Sequence, residues 1–117
     1  MRKIILDTNF LIDLYKFKID LKQELSKLDL EPYTVHVIDK TIDELTRLSI
    51  KNVNARIALH FANKFKIIKT EGSYVDDILA EFDDKDTIIA TDDYELKKRL
   101  KCKKLVIKSK SHLMLGN

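Results

Sequence analysis

Five short apolar runs alternate with stretches of helical periodicity, and this alternation constrains the fold of the 117-residue chain more than any other feature. The runs are Ile4-Ile5-Leu6, Thr34 to Ile38, Lys66 to Lys69, Thr87 to Thr91 and Leu105-Val106-Ile107, rich in β-branched residues as strands require. Between them, apolar residues recur at three- and four-residue spacing. Examples are Phe10, Leu11, Leu14 and Phe17; Leu21, Leu25 and Leu28; Ile42, Leu45 and Leu48. The pattern continues through Ile57, Ala58, Phe61, Ala62 and Phe65; Val75, Ile78, Leu79 and Phe82; and Leu96 and Leu100. Strand and helix in alternation predict an α/β domain with a central parallel sheet of about five strands and helices on both faces. One proline, two glycines and no repetitive or Ser/Gly-rich stretch leave no linker, so one domain over residues 1–117 is expected.

With 44% hydrophobic residues, a chain of this length can bury about two-thirds of its unfolded surface in one core. Lys and Arg number 22 against 19 for Asp and Glu, a net charge of +3 that falls short of a strongly nucleic-acid-binding composition. Charge distribution therefore matters more than its total. The single Cys102 excludes an intramolecular disulfide and a four-cysteine zinc site, and it fits a reducing compartment. No apolar stretch approaches membrane-spanning length, and Asp7 interrupts the amino terminus too early for a signal peptide. A cytoplasmic protein with no membrane partner is expected.

Two carboxylates stand where apolar runs stop: Asp7 after Ile4-Ile5-Leu6, and Asp93 just beyond Ile88-Ile89-Ala90-Thr91. In a parallel sheet both emerge on the carboxyl edge, where ligands bind at the reversal of strand order. Glu44 lies in the helix after the second strand. Asp76 opens the helix before the Asp93 strand, with Ser73 three residues ahead in a spacing that resembles a capping box. Any one acidic residue is most often a solvated or capping group, so the weight rests on the joint pattern. Four carboxylates on one edge repel, and the cluster is stable only if some are protonated or a divalent cation sits among them. Oxygen-only ligation favours magnesium or manganese.

Four segments resemble the PIN-domain family of metal-dependent ribonucleases, and the resemblance spans the whole chain. They are Leu6-Asp7-Thr8-Asn9-Phe10-Leu11, Ile42-Asp43-Glu44-Leu45, Tyr74-Val75-Asp76-Asp77-Ile78-Leu79 and Ala90-Thr91-Asp92-Asp93. Within the family the sequence looks most like the small archaeal branch related to rRNA-processing PIN proteins, a likeness shared by the tail Ser109-Lys110-Ser111-His112-Leu113, and more distantly like VapC-type toxins. The resemblance implies an endoribonuclease that hydrolyses RNA phosphodiester bonds with Mg2+ or Mn2+. Carried over by position, Asp7, Glu44, Asp76 and Asp93 would be catalytic, with Asp7, Asp76 and Asp93 as metal ligands. Thr8, Asn9, Thr91 and Asp92 would support them. Asp92 stands where the archaeal branch often has Asn, which leaves open which of Asp92 and Asp93 leans toward the metal. RNA is the implied partner, with an antitoxin or a ribosome-assembly factor, and a second copy of the chain, as implied protein partners.

Lys97-Lys98-Arg99-Leu100-Lys101-Cys102-Lys103-Lys104 holds six basic residues in eight. A solvated helix face explains such a run, but its position directly after Asp93 makes Lys97, Lys98, Lys101 and Lys104 candidates for RNA phosphates. His36, His60 and His112 lack partners at metal-ligand spacing, and the first two read as core or boundary residues. Neighbouring lysines could lower the Cys102 thiol pKa, although no histidine base lies near it in sequence. Thr8 and Asn9 serve equally well as helix caps. Packing explains Tyr15, Tyr74 and Tyr94 better than base stacking does. Two other functions fit parts of the pattern. A non-catalytic RNA-binding scaffold in ribosome assembly would keep the fold but gain nothing from clustered carboxylates. A phosphorylated receiver domain needs an acidic pair after the first strand, where Asp7-Thr8-Asn9 offers one carboxylate.

Overall fold

The computed structural model describes residues 1–116. Six strands form one sheet: β1 (Arg2–Leu6), β2 (Tyr33–Ile38), β3 (Lys66–Ile68), β4 (Thr87–Ala90), β5 (Lys103–Lys108) and β6 (His112–Gly116). Their order is β3-β2-β1-β4-β5-β6, with all pairs parallel except the β5–β6 hairpin. The helices are α1 (Thr8–Lys16), α2 (Leu21–Ser26), α3 (Asp39–Leu48), α4 (Val53–Ala62), α5 (Val75–Ala80) and α6 (Tyr94–Arg99). None of them is long and apolar enough to cross a membrane.

The two-residue period of the strands divides the core. Ile4, Leu6, Ile88 and Ala90 meet α1 to α4 on one face, with Phe10, Leu11, Leu14 and Leu45 fully or nearly fully buried. Ile5, Ile38 and Ile89 meet α5 and α6 on the other, through Ile78, Leu79, Leu96 and Leu100. Helices on both faces of a mostly parallel sheet are thus as the alternation predicts.

The expected five strands are joined by a sixth. Strand β6 follows a turn closed by the Ser111 N–H donating to the Lys108 carbonyl at 3.1 Å. Ser109 and Lys110 both take positive φ there, at 55°, so the Gly or Asn that marks such turns in a sequence is missing. Helix α4 also begins four residues earlier than its apolar spacing predicts, because Asn52 caps it by accepting the Ala55 N–H at 3.0 Å. Its buried side is the small-residue series Ala55, Ala58 and Ala62, while Ile57, expected in the core, is 38% exposed. Helix α5 lacks the Ser73 cap. Its cap position is Tyr74, with no side-chain bond, and the preceding Gly72 turns the chain at φ 107°.

Leu45 is fully buried between α3 and the sheet, so Leu45→Ala is expected to cost about 2–5 kcal/mol of unfolding free energy in a urea titration. Ile57→Ala is expected to cost less than half as much. Equal losses would place Ile57 inside the core.

Candidate active site

Strands β1 and β4 lie side by side, with Leu6 opposite Ala90 at the end of the ladder. The next residue of each strand region faces the carboxyl edge. Asp7 continues the pairing by donating its N–H to the Ala90 carbonyl at 2.9 Å, and its φ and ψ of −70° and 153° make it the cap of α1. One carboxylate oxygen, Oδ1, accepts the Thr8 N–H at 2.8 Å. The other, Oδ2, accepts the Thr91 hydroxyl at 2.7 Å. Thr91 Oγ1 in turn accepts the Asp93 N–H at 3.1 Å, and Asp93 caps α6 by accepting the Leu96 N–H at 3.1 Å. One threonine therefore orients two of the four acids.

Asp76 lies in the first turn of α5, and Glu44 lies on α3, where Arg47 approaches it at 3.8 Å. Asp7, Glu44, Asp76 and Asp93 share one pocket of about 280 Å3 with Asn9, Tyr74 and Val75. The sheet core beneath it desolvates Asp7, which is only 5% exposed. Burial raises its pKa to about 6, the charges of Asp76 and Glu44 push the same way, and the Thr91 and Thr8 hydrogen bonds pull against them. Asp76 is also raised, first by burial and then by Asp93, with Arg99 opposing. Arg99 itself bonds the neighbouring Asp77 at 2.9 Å.

The supporting residues divide. Thr91 is fully buried, and Thr8, 1% exposed, donates its hydroxyl to Thr41 at 3.2 Å, which braces the start of α1 against α3. Neither Thr8 nor Asn9 caps α1 with its side chain, since Asp7 occupies that role. Asn9 is exposed and lines the pocket. Asp92 is turned away: its Oδ1 accepts the Ile107 N–H of β5 at 3.1 Å, so Asp93 is the member of the pair that faces the pocket. Sequence reasoning missed Thr41, for which the sequence carries no signal, and read Tyr74 as a packing residue although it lines the pocket.

The basic run does not form one face. Helix α6 ends at Arg99; Leu100 and Cys102 are buried, and Lys104 lies in β5 at 8% exposure, away from Lys97, Lys98 and Lys101. Burial, with Asp83 beside it, pushes the Cys102 thiol up to about 11, opposite to the lowering that neighbouring lysines could bring. His60 is exposed on α4, while His36 is half-buried, with Nε2 against the Thr34 hydroxyl at 2.7 Å. A larger apolar groove of about 800 Å3 runs between the carboxyl end of α1 and the amino end of β2, past Tyr15, Tyr33 and Phe61. Its one carboxylate, Asp20, accepts the Gln23 N–H at the start of α2, so the cluster of acids lies in the smaller pocket.

Residues 4–110 match the model of the family described as PIN like domain. The chain belongs to that family. It is 28% identical over 109 residues to Ribonuclease VapC4 of Methanocaldococcus jannaschii, an alignment covering 86% of this chain and 83% of that protein. Its fold superposes on the PIN domain endonuclease Utp24 with a TM-score of 0.80 and 26% identity, covering 97% of this chain and 90% of that one. The mostly parallel sheet is thus that of a PIN domain.

The donor set fits a hard divalent cation: carboxylates only, with negative charge in excess and Asp7 disfavoured as an isolated anion. Among the described residues no three His, Cys, Asp or Glu side chains are already placed to grip one ion. Asp7, Asp76 and Asp93 would hold such an ion only with waters completing its shell, as suits magnesium.

A carboxyl held near 6 rather than 3.8 disfavours the native state once charged, by about 3 kcal/mol. Because the folded pKa is the higher one, this contribution to stability is complete below about pH 4 and is lost as pH rises through about 6. In EDTA, Asp7→Asn is expected to remove that loss, so that the variant gains up to about 3 kcal/mol on wild type between pH 4 and pH 7. Urea unfolding across that range measures it. Parallel stability curves would return Asp7 to an ordinary exposed carboxylate.

Proposed function

We propose that this PIN domain is a divalent-metal-dependent endoribonuclease whose active centre is the pocket of Asp7, Glu44, Asp76 and Asp93. The observation that carries this reading is a nearly buried carboxylate, Asp7, set among acids that raise its pKa rather than beside a cation that would lower it. Such an arrangement weakens the fold and makes sense as a ligand cradle. A bound Mg2+ or Mn2+ would neutralise charge on the phosphate and lower the pKa of a water. Asp7 is held in one orientation by its bonds to Thr91 and Thr8. Asp93 is fixed through its own backbone by the same threonine, and Glu44 is free to orient the attacking water, being held only by the loose Arg47 contact. No histidine lines the pocket, so attack by water, in line with departure of the 3′ oxygen, is the mechanism these residues support.

RNA is the substrate in this reading, in keeping with the ribonuclease and endonuclease names of the two relatives. The same site serves a toxin-type nuclease neutralised by an antitoxin or a nuclease of rRNA processing alongside assembly factors. Finding a small antitoxin gene beside this one would mark the first role. A non-catalytic scaffold is disfavoured because clustered carboxylates repel the RNA it would have to hold. The one buried cysteine fits a reducing, cytoplasmic setting.

Cleavage of a mixed RNA pool is expected to require Mg2+ or Mn2+, to stop in EDTA, and to vanish in Asp7→Asn and Asp76→Asn proteins that remain folded by circular dichroism. Products are expected to carry a 5′-phosphate and a 3′-hydroxyl. A 2′,3′-cyclic phosphate would reveal attack by the ribose hydroxyl and sink the carboxylate mechanism.

Lys97, Lys98 and Lys101 lie at least partly in solvent on and just after α6, four, five and eight residues beyond Asp93. Changing all three to Gln is expected to weaken RNA binding about equally across sequences and to flatten its salt dependence, read as the slope of log Kd against log salt. An unchanged slope would leave them as an ordinary solvated face.

A further inference from the structure

The chain has four tyrosines, and the structure divides them in a way the sequence does not. Tyr15 stacks on Phe61 with ring centroids 5.3 Å apart, and Tyr33 is half-buried. Tyr74 and Tyr94, by contrast, are 74% and 67% exposed, and they are the only exposed Tyr or Phe rings among the described residues. Tyr74 lines the acidic pocket, two residues before Asp76, and Tyr94 is the next residue after Asp93, which lines it. Tyr74 is the cap of α5 and Tyr94 the first residue of α6, so one ring comes from the α5 side and the other from the α6 side. The reading of these tyrosines as packing residues is overturned for both.

We propose that Tyr74 and Tyr94 are stacking platforms for unpaired bases on the two sides of the scissile phosphate. The inference rests on the nuclease reading above and names residues that position its substrate. Large rings left in water beside a pocket gain by being covered, and a nucleobase covers a ring face without bringing negative charge toward the carboxylates. Lys98 Nζ lies 5.1 Å from the centroid of the Tyr94 ring, where it can also meet the phosphate of a stacked nucleotide. Every base has a flat face, so the platforms tolerate any sequence but require a base that is free of its duplex neighbours.

Steady-state kinetics on an unstructured RNA are the test. Tyr74→Ala and Tyr94→Ala are each expected to raise KM about tenfold with a smaller change in kcat, while Tyr74→Phe and Tyr94→Phe stay near wild type. With no tryptophan in the chain, tyrosine emission reports stacking directly: an uncleavable oligonucleotide should quench it in wild type and not in the double alanine variant. Replacing the stacked nucleotide with an abasic one should weaken binding to wild type but not to the alanine variants. Wild-type KM in the alanine proteins, or an equal loss in the phenylalanine proteins, overturns the stacking role and leaves the nuclease reading in place. A wild-type protein that neither cleaves nor binds RNA overturns both.

Discussion

The parallel pairing of β1 with β4 is the contact on which the site depends. The two strands are adjacent at the centre of the sheet, yet the chain leaves β1 toward β2 on one side and leaves β4 toward β5 on the other. Where connections diverge, no crossover covers the carboxyl ends, and a crevice opens there. Asp7 and Thr91 are the first residues past the last paired rung, Leu6 and Ala90, and they meet across the crevice at 2.7 Å. The fully buried Leu6 and Ala90 beneath them remove water from Asp7. One packing arrangement thus builds the core and perturbs the acid.

That perturbation opposes stability, and its neighbours add to it. Asp76 and Glu44 raise the cost of charging Asp7, while the Thr91 and Thr8 hydrogen bonds recover only part of it. The elements carrying the remaining acids on the second face, α5 and α6, have six residues each and are too short to be stable on their own. They are held by Ile78, Leu79, Leu96 and Leu100 packed on Ile5, Ile38 and Ile89. Asp83 anchors the chain after α6 by accepting the N–H groups of Lys101 and Cys102. The exposed Arg99–Asp77 pair contributes little in comparison.

The sequence made legible what depends on period and on charge. Alternating runs identified five strands, and carboxylates at the ends of two of them marked the edge where the pocket forms. What it left hidden depended on backbone geometry or on contacts distant in the chain. The β6 hairpin turns through Ser109 and Lys110 at positive φ, a conformation that those residue types do not advertise. Asp92 and Asp93 are equivalent in a string of letters, and only the pairing of β4 with β5 brings the Ile107 N–H to Asp92 and turns that side chain away. Lys104 resembles the lysines before it until β5 begins at Lys103 and inserts it into the sheet. Exposure of Tyr74 is likewise invisible to periodicity, because it is set by the cap of α5 rather than by the helix interior.

On the proposed reading, a pocket built from carboxylates and a polyanionic substrate would pose an electrostatic conflict, and the distribution of the remaining charge bears on how it is resolved. The chain's excess of three positive charges is small, but Lys97, Lys98, Arg99 and Lys101 fall within eight residues of Asp93. Arg99 is committed to Asp77, and Lys98 is shared between Glu95 at 4.0 Å and the Tyr94 ring. Long-range attraction from this side of α6 can bring a phosphate backbone to the pocket, yet it falls off within about 10 Å at moderate salt and fixes no register. Register has to come from groups that hold the nucleotide without charge. Asn9 and Tyr74 in the pocket lining, and the exposed Tyr94 ring next to Asp93, are uncharged groups with a polar or flat face to offer. On the nuclease reading proposed above, attraction, register and acid chemistry would therefore fall to different residues around the crevice where β1 and β4 end.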